Sequence, residues 1–288
     1  MNRQRCFAIL LAAVLTLALA LPSAAQPDLD KLSDSELAKG VSLIQFKDHS
    51  SEDPTGLVEK YEGLRVTDVV DAMQAIGLQD IGSMDNSIQP LWKDASEKFA
   101  HRIYGVAITA QFVPTNKPGA QAGTSYEEFR KWHSHWYSNY AQGTFARLLK
   151  PGAVLVIDAH DIANVGYCGS NNSLGWKARG MAGVVTNGGC RDTDEMILQK
   201  IPAYLKYTSH GTRPGRIELA TINMPVSVGG VLVRPYDMVI ADGDGVVVVP
   251  REHAERVAEI AWDIANGDKQ GRRKLYEKTG MPLDRTVK

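Results

Sequence analysis

Arg191, Asp192, Asp194 and Glu195 place a cation and three carboxylates directly behind Asn187-Gly188-Gly189-Cys190, which itself follows the apolar run 181–186. Two complementary chemistries are available to such a group. An arginine presents a planar fork to a carboxylate or enolate oxygen, while Asp192 and Glu195 can hold a hard divalent cation through oxygen, directly or through water. An anionic, chelating small molecule would satisfy both. A structural reading competes with this one, because Asp192 followed three residues later by Glu195 is also the spacing of a helix capping box.

The elements that must position these residues are legible around them. Run 181–186 is short, β-branched and bounded by glycines, which predicts a buried strand, then a tight glycine turn, the charged cluster, and a helix from about Thr193. Ligands of α/β proteins bind beyond the C-terminal ends of strands, so this is where chemistry is expected. Residues 169–180 give a second such place: Ser170, Asn171 and Asn172 open a helix whose free N–H groups can seat a carboxylate.

Upstream, Val66, Val69, Val70, Met73 and Ile76 fall at helical spacing, with Thr67 as the expected cap, Gly77 as the stop and Asp71 on the polar face. Strands are expected over 103–112 and 153–158. Between them, 125–149 is a helical segment dense in aromatics. Its His133 and His135 lie at i and i+2 and so point to different faces, which favours a packing surface over a metal pair. Downstream, 224–228, 231–233, 238–241 and 246–249 form paired β segments. Asp242-Gly243-Asp244-Gly245 fits a hairpin connector better than a calcium loop. A helix from Arg251 to about Asn266 closes the pattern.

Arg3 and Arg5 precede sixteen nearly all-apolar residues, and Ser23-Ala24-Ala25 supplies the small residues that a signal peptidase reads. Cleavage after Ala25 and a periplasmic or secreted location are expected, the apolar run being shorter than the roughly twenty residues of a spanning helix. Processing would leave 30 basic and 33 acidic residues, a net charge of −3. That leaves no basic field for nucleic acid and no membrane span in the mature chain. Of the cysteines only Cys168 and Cys190 would remain, and both a disulfide and free thiols fit the compartment. No CxxC zinc spacing, phosphate-cradling GxGxxG or GxSxG elbow occurs. The organisation expected is a signal peptide at 1–25, an N-terminal arm at 26–62, a catalytic domain at 63–266 with an aromatic insert at about 115–149, and a tail at 267–288.

Several stretches occur in one order: Thr67-Asp68-Val69-Val70-Asp71-Ala72-Met73, Pro151-Gly152 with the strand after it, Arg179-Gly180-Met181-Ala182-Gly183, Gly188-Gly189-Cys190-Arg191-Asp192, and Gly229-Gly230-Val231 with Ala241-Asp242-Gly243-Asp244-Gly245. Together they resemble the RraA-like family, which includes class II 4-hydroxy-4-methyl-2-oxoglutarate aldolases and the ribonuclease E regulator that names it. The resemblance implies an α/β fold of the layered, swivelling β/β/α type, assembled as a homotrimer or a dimer of trimers. It also implies that Asp192 ligates Mg²⁺ or Mn²⁺, that Glu195 reaches the ion through water, that Arg191 holds the oxo-acid end of a small substrate, and that the N–H groups after Gly169 bind the same carboxylate.

The implied activity is a metal-dependent lyase that cleaves 4-hydroxy-2-oxo acids to pyruvate and decarboxylates oxaloacetate on the side. An exported, non-catalytic binding or regulatory protein is the alternative. The methyltransferase label sometimes attached to the family finds no nucleotide loop here. The chain departs from the family pattern at Asn187, where many relatives carry Asp, at Tyr236, which replaces the glycine of a Pro-Gly-Asp turn, in the length of the aromatic segment, and in the signal peptide.

Overall fold

A computed structural model of the chain describes residues 31–96 and 98–288, so the expected signal segment lies outside the described residues. Contacts divide the chain into two units, Met1–Lys47 and Asp48–Lys288. In the first, the short helix α1 (Asp34–Ala38) is closed by a capping box between Ser33 and Glu36.

The second unit runs α2 (Thr55–Glu59), α3 (Val66–Ala75), β1 (Gln89–Pro90), β2 (Ile103–Pro114), α4 (Tyr126–Asn139), β3 (Ala153–Asp158), β4 (Gly166–Cys168), α5 (Ser170–Lys177), β5 (Met181–Cys190) and α6 (Thr193–Leu198). It continues with β6 (Ala203–Thr208), β7 (Ile217–Ile222), β8 (Val226–Val228), β9 (Val231–Val233), β10 (Met238–Asp242), β11 (Gly245–Val249) and α7 (Ala254–Thr279). One sheet takes the order β1-β6-β5-β3-β2-β10-β11, with β4 added to β5 and β7 to β2. Neighbours among β2, β3, β5 and β6 are parallel, as is β4 with β5, whereas β1, β7, β10 and β11 pair antiparallel.

The alternation along β3 explains the layers. Ala153, Leu155 and Ile157 join a core shared with α2, α3, α5 and α7, while Val154 and Val156 join a second core with the β8–β9 hairpin. A strand buried on both faces must be apolar throughout, and β3 is. The result is a layered α/β arrangement, as the family resemblance implies: hairpin, sheet and helices.

Four local expectations change. Thr67 is exposed and does not cap α3, since the Asp68 carboxylate accepts from the Arg65 N–H (2.8 Å) and the buried Asp242 accepts from the Val66 N–H (3.0 Å). Leu57, Val58 and Tyr61, expected in an N-terminal arm, are buried in the core of the second unit. Strands β6 and β7 come from segments in which no strand is evident by pattern, and partners on β5 and β2 supply the ladder they need. Helix α7 continues past Asn266 to Thr279, supported by the pair Arg273–Glu277 and the bond from Tyr276 to Asp284, and stops at Gly280 in the left-handed conformation.

Candidate active site

The expected glycine turn at 187–189 is not a turn. Strand β5 runs through it to Cys190, with a register shift against β6 between Thr186 and Gly189. The glycines are there for space: a Cβ at Gly188 would lie 2.4 Å from the Ala159 Cβ and 2.7 Å from the Tyr167 ring, and one at Gly189 would lie 2.6 Å from the Ser209 Cβ. The true turn falls at Asp192, which adopts φ 55°, ψ 43° between β5 and α6. A left-handed backbone is tolerated best by Gly, Asn and Asp.

Beside β5 lies the short β4, pairing Gly166 with Gly189 and Cys168 with Cys190. Cys168 and Cys190 form a disulfide, with Cα atoms 4.9 Å apart, which decides the question that sequence left open. The bridge ties the end of β4, just before Gly169, to the end of β5, just before Arg191. Two glycines of β4 and its exit make the floor of the site. A Cβ at Gly166 would lie 2.6 Å from the Arg191 Cγ, and one at Gly169 would lie 2.6 Å from the Asp192 Oδ2. Gly169 is anticipated by sequence; Gly166 is not, although its place two residues before a strand-end cysteine is the available signal.

Over that floor, Arg191 Nε donates to Asp192 Oδ1 (3.1 Å), and the Ser170 backbone N–H donates to Asp192 Oδ2 (3.3 Å). Asp192 stands at the cap position of α6, yet its side chain caps nothing there, so the capping-box reading fails. Its carboxylate is turned toward α5. The side chains of Arg191 and Asp192 are 36% and 35% exposed, which leaves both accessible to a ligand. Ser170 is partly buried as the first residue of α5, whereas Asn171, Asn172 and Glu195 are exposed. Ser173 locks the start of α5 by donating its hydroxyl to the Gly169 carbonyl (2.6 Å).

Asn187 belongs to a different, buried network. Its Oδ1 accepts from the Ala159 N–H (2.7 Å) and its Nδ2 donates to Asp158 (3.2 Å), which also accepts from Gln111 (3.1 Å) and from the His160 N–H (3.0 Å). An aspartate at 187 would set two carboxylates against each other; the amide supplies a donor instead.

The aromatic helix α4 packs beside the site. Trp136 donates to the Ile217 carbonyl (3.1 Å), and Trp132 lies against Gly215, where a Cβ would meet its ring at 3.1 Å. Fully buried Arg213 donates to the carbonyls of Ala141 and Tyr167, joining the end of α4 to β4. Burial and the nearby positive charge of Arg191 hold the His133 imidazole below its ordinary pKa. His135 instead engages Asn139 on its own helix (3.1 Å), so the two histidines do face apart as i, i+2 spacing predicts.

Asp192 and Glu195 are oxygen donors, and among the described residues no group of three or more His, Cys, Asp or Glu is assembled to hold a metal. Such a donor set suits Mg²⁺, which keeps several waters and takes one or two carboxylates plus substrate oxygens, and does not suit zinc.

Comparison with known proteins identifies the family. The family model RraA-like (Aldolase/RraA) matches residues 66–248. A provisionally named 4-hydroxy-4-methyl-2-oxoglutarate aldolase of Halalkalibacterium halodurans is 33% identical over 111 residues, covering 38% of this chain and 52% of that protein. One of the same name from Deinococcus radiodurans is 35% identical over 108 residues, covering 36% and 66%. The chain thus spans between half and two-thirds of these relatives' length. Among solved structures, RraAS2 of Streptomyces coelicolor, described as an unusual member of the RNase ES inhibitor RraA family, superposes with a TM-score of 0.59 at 24% identity, over 80% of this chain and 98% of that one. An uncharacterized Pseudomonas syringae protein gives 0.60 at 20% identity, over 81% and 98%. With more than half of its length matched, the chain belongs to the RraA-like family.

Proposed function

We propose that the protein is a divalent-metal-dependent carbon–carbon lyase that cleaves 4-hydroxy-2-oxo acids, such as 4-hydroxy-4-methyl-2-oxoglutarate, to pyruvate, with oxaloacetate decarboxylation as a side activity. The observation that carries the reading is the seat of Arg191 and Asp192 on Gly166 and Gly169, with the Asp192 carboxylate at the first N–H of α5. That placement leaves the start of α6 uncapped by Asp192 and supports a ligand-binding role for its carboxylate. The relatives' names point to the same substrate class.

Asp192 would hold Mg²⁺ or Mn²⁺, with Glu195 reaching it through water. When bound, the ion supplies Lewis-acid polarisation of the 2-oxo acid. The rest falls to the chain. The Arg191 guanidinium receives the substrate carboxylate as a fork and stays beside the 2-oxo oxygen, where it offsets the negative charge of the pyruvate enolate as the C3–C4 bond breaks. The start of α5 adds oriented N–H groups to the same anion. The floor of two glycines keeps side-chain bulk out of the approach. The cationic fork and the acidic turn are fixed before substrate arrives, through the Cys168–Cys190 bridge and the β4–β5 ladder. We also place the protein outside the cytoplasm, on the strength of the segment ending at Ala25, and as a homotrimer or homohexamer acting on a small oxo acid.

The test is pyruvate release from oxaloacetate and from 4-hydroxy-4-methyl-2-oxoglutarate, with and without Mg²⁺, in the native protein and in Asp192→Asn. Metal-dependent release that the variant loses supports the lyase. No release from either compound would end that reading in favour of a binding protein.

A further inference from the structure

Cys168 ends β4, Cys190 ends β5, and their sulfurs are joined. The residues that follow the two cysteines belong to the two halves of the candidate site: Gly169, against which the Asp192 carboxylate lies, and Arg191 itself. The backbone repeats the link, since the Arg191 N–H donates to the Cys168 carbonyl (2.9 Å). The start of α5 is tied to the same point, because Ser173 donates to the Gly169 carbonyl (2.6 Å) and the Ser170 N–H donates to Asp192 (3.3 Å). The bridge is thus the covalent joint between the two strand ends that carry the site.

Without the bridge, β4 is weakly held for a strand that must keep its place. It is three residues long and pairs with β5 at two positions, one of which sets Gly166 against Gly189. Glycines in a strand add no side-chain packing and lose the most chain entropy on ordering. The Gly166 N–H donates to the Gly211 carbonyl (2.9 Å) and the Tyr167 carbonyl accepts from Arg213 (3.1 Å), which fixes the start and middle of β4. Its last residue, the one beside the site, is held by the disulfide and by the Arg191 N–H. A displacement of about 1 Å there would move Gly169 relative to Asp192, and misplacement on that scale costs about 100-fold in rate.

We propose that Cys168 and Cys190 are a redox gate on the site: the disulfide form binds and turns over its oxo acid, and the dithiol form does both weakly. For turnover this rests on the lyase reading above; for binding it does not. The exchange balances with a small-molecule or protein disulfide as oxidant. One cysteine thiolate attacks a sulfur of that donor and releases its first thiolate. The second cysteine attacks the mixed disulfide, the Cys168–Cys190 bond forms, and the donor leaves fully reduced, having taken two electrons and two protons. A dithiol reductant runs the same steps backwards. Cys168 and Cys190 are 1% and 0% exposed, so exchange in the folded protein passes through local opening of β4, and the disulfide persists once formed.

The gate is tested on the purified protein before reduction, after reduction with dithiothreitol in mild urea and return to buffer, and after reoxidation with oxidised glutathione. The free-thiol count must rise by two on reduction. Cys168→Ala/Cys190→Ala is the unbridged form that neither reagent alters. Two quantities are read in Mg²⁺, well below the unfolding midpoint: the Kd of oxamate, a non-cleavable oxo-acid mimic, and pyruvate release from oxaloacetate. Reduction and the double variant are each expected to weaken oxamate about tenfold and to lower kcat/KM about 100-fold with circular dichroism unchanged. Glutathione should restore the reduced protein and leave the variant as it was. Equal binding and turnover in all forms, with only the thermal midpoint lowered, would make the bridge a staple of the fold and overturn the gate. Loss of the folded signal on reduction overturns it too, because no folded dithiol form is then left to gate. Redox-dependent oxamate binding with no pyruvate from any form keeps the gate and sinks the lyase; no oxamate binding and no pyruvate in any form removes both.

Discussion

Asp192 and Asp237 occupy similar turns and do opposite work. Each sits at a strand boundary next to, or in, a left-handed backbone: Asp192 has φ 55° itself, and Tyr236, just before Asp237, has φ 70°. Each has arginines close by. Asp237, however, is 2% exposed and accepts from the backbone N–H groups of Arg234 (2.8 Å) and Arg251 (2.9 Å), joining the turn before β10 to the chain after β11. Its carboxylate is consumed by structure. Asp192 is a third exposed and meets a side-chain guanidinium and one helix-start N–H. Backbone strain therefore does not separate the candidate ligand-binding acid from the structural one in this fold; the destination of the carboxylate does.

The difference is broken or kept by exchanging assays. Asp192→Asn keeps a residue that accepts the left-handed turn and removes the charge, so turnover should drop about 10³-fold while the urea midpoint barely moves. A variant that unfolds easily but still turns over would reverse the assignment. Asp237→Ala should do the converse, leaving two buried N–H groups without an acceptor at a cost of about 3 kcal/mol in urea unfolding.

The same buried acid gives a pH signature. Burial pushes the Asp237 carboxyl up to about 7 from an ordinary 3.8, against the opposing pull of its two backbone hydrogen bonds. Between those values the folded state binds the proton that the unfolded chain has released. Its contribution to stability is therefore complete below about pH 4 and is lost as pH rises through 7. Asp237→Asn should flatten that part of the stability profile measured by urea unfolding at pH 4.5 and 7.5, and an unchanged slope would assign the dependence to other groups.

Arg191→Lys tests the accessible side of the pair at smaller magnitude. The lysine stem can lie on Gly166 as the arginine stem does, but a single ammonium cannot form a bidentate fork, so kcat/KM should fall about 100-fold with folding intact. Near-native kcat/KM would remove the fork from the mechanism.

The sequence carried the chemistry further than the geometry. Arg191, Asp192 and Gly169 were legible as a group because the resemblance to the family singled them out, and the structure brings the three together. The fold class followed from the apolar runs now seen as β3, β5, β10 and β11. What stayed hidden depends on contacts distant in sequence. Asn187-Gly188-Gly189 has the composition of a turn, and only the approach of Ala159, Tyr167 and Ser209 shows that these glycines clear space inside a strand. The capping role for Asp192 and Glu195 was equally plausible by spacing, and it failed because Ser170, 22 residues away, offers the carboxylate a different donor. The aromatic segment read as a packing surface, and Trp132 and Trp136 pack as one against 215–217.

Ser170 gives the finest cut between a structural and a functional N–H. It is the first residue of α5, where proline is well accepted, and the preceding Gly169 is extended at φ −151°, ψ 175°, the conformation a following proline requires. Ser170→Pro should therefore leave the fold and the thermal midpoint near native while deleting the one N–H that meets Asp192 Oδ2. Ser170→Ala keeps that N–H and serves as the control. If the donor orients the carboxylate for its ligand, the proline variant should need about tenfold more Mg²⁺ or substrate for half-maximal pyruvate release, and the alanine variant should match the parent. Equal curves for all three would mean that Asp192 is oriented by Arg191 alone, and the role of α5 in the site would shrink to its steric floor at Gly169.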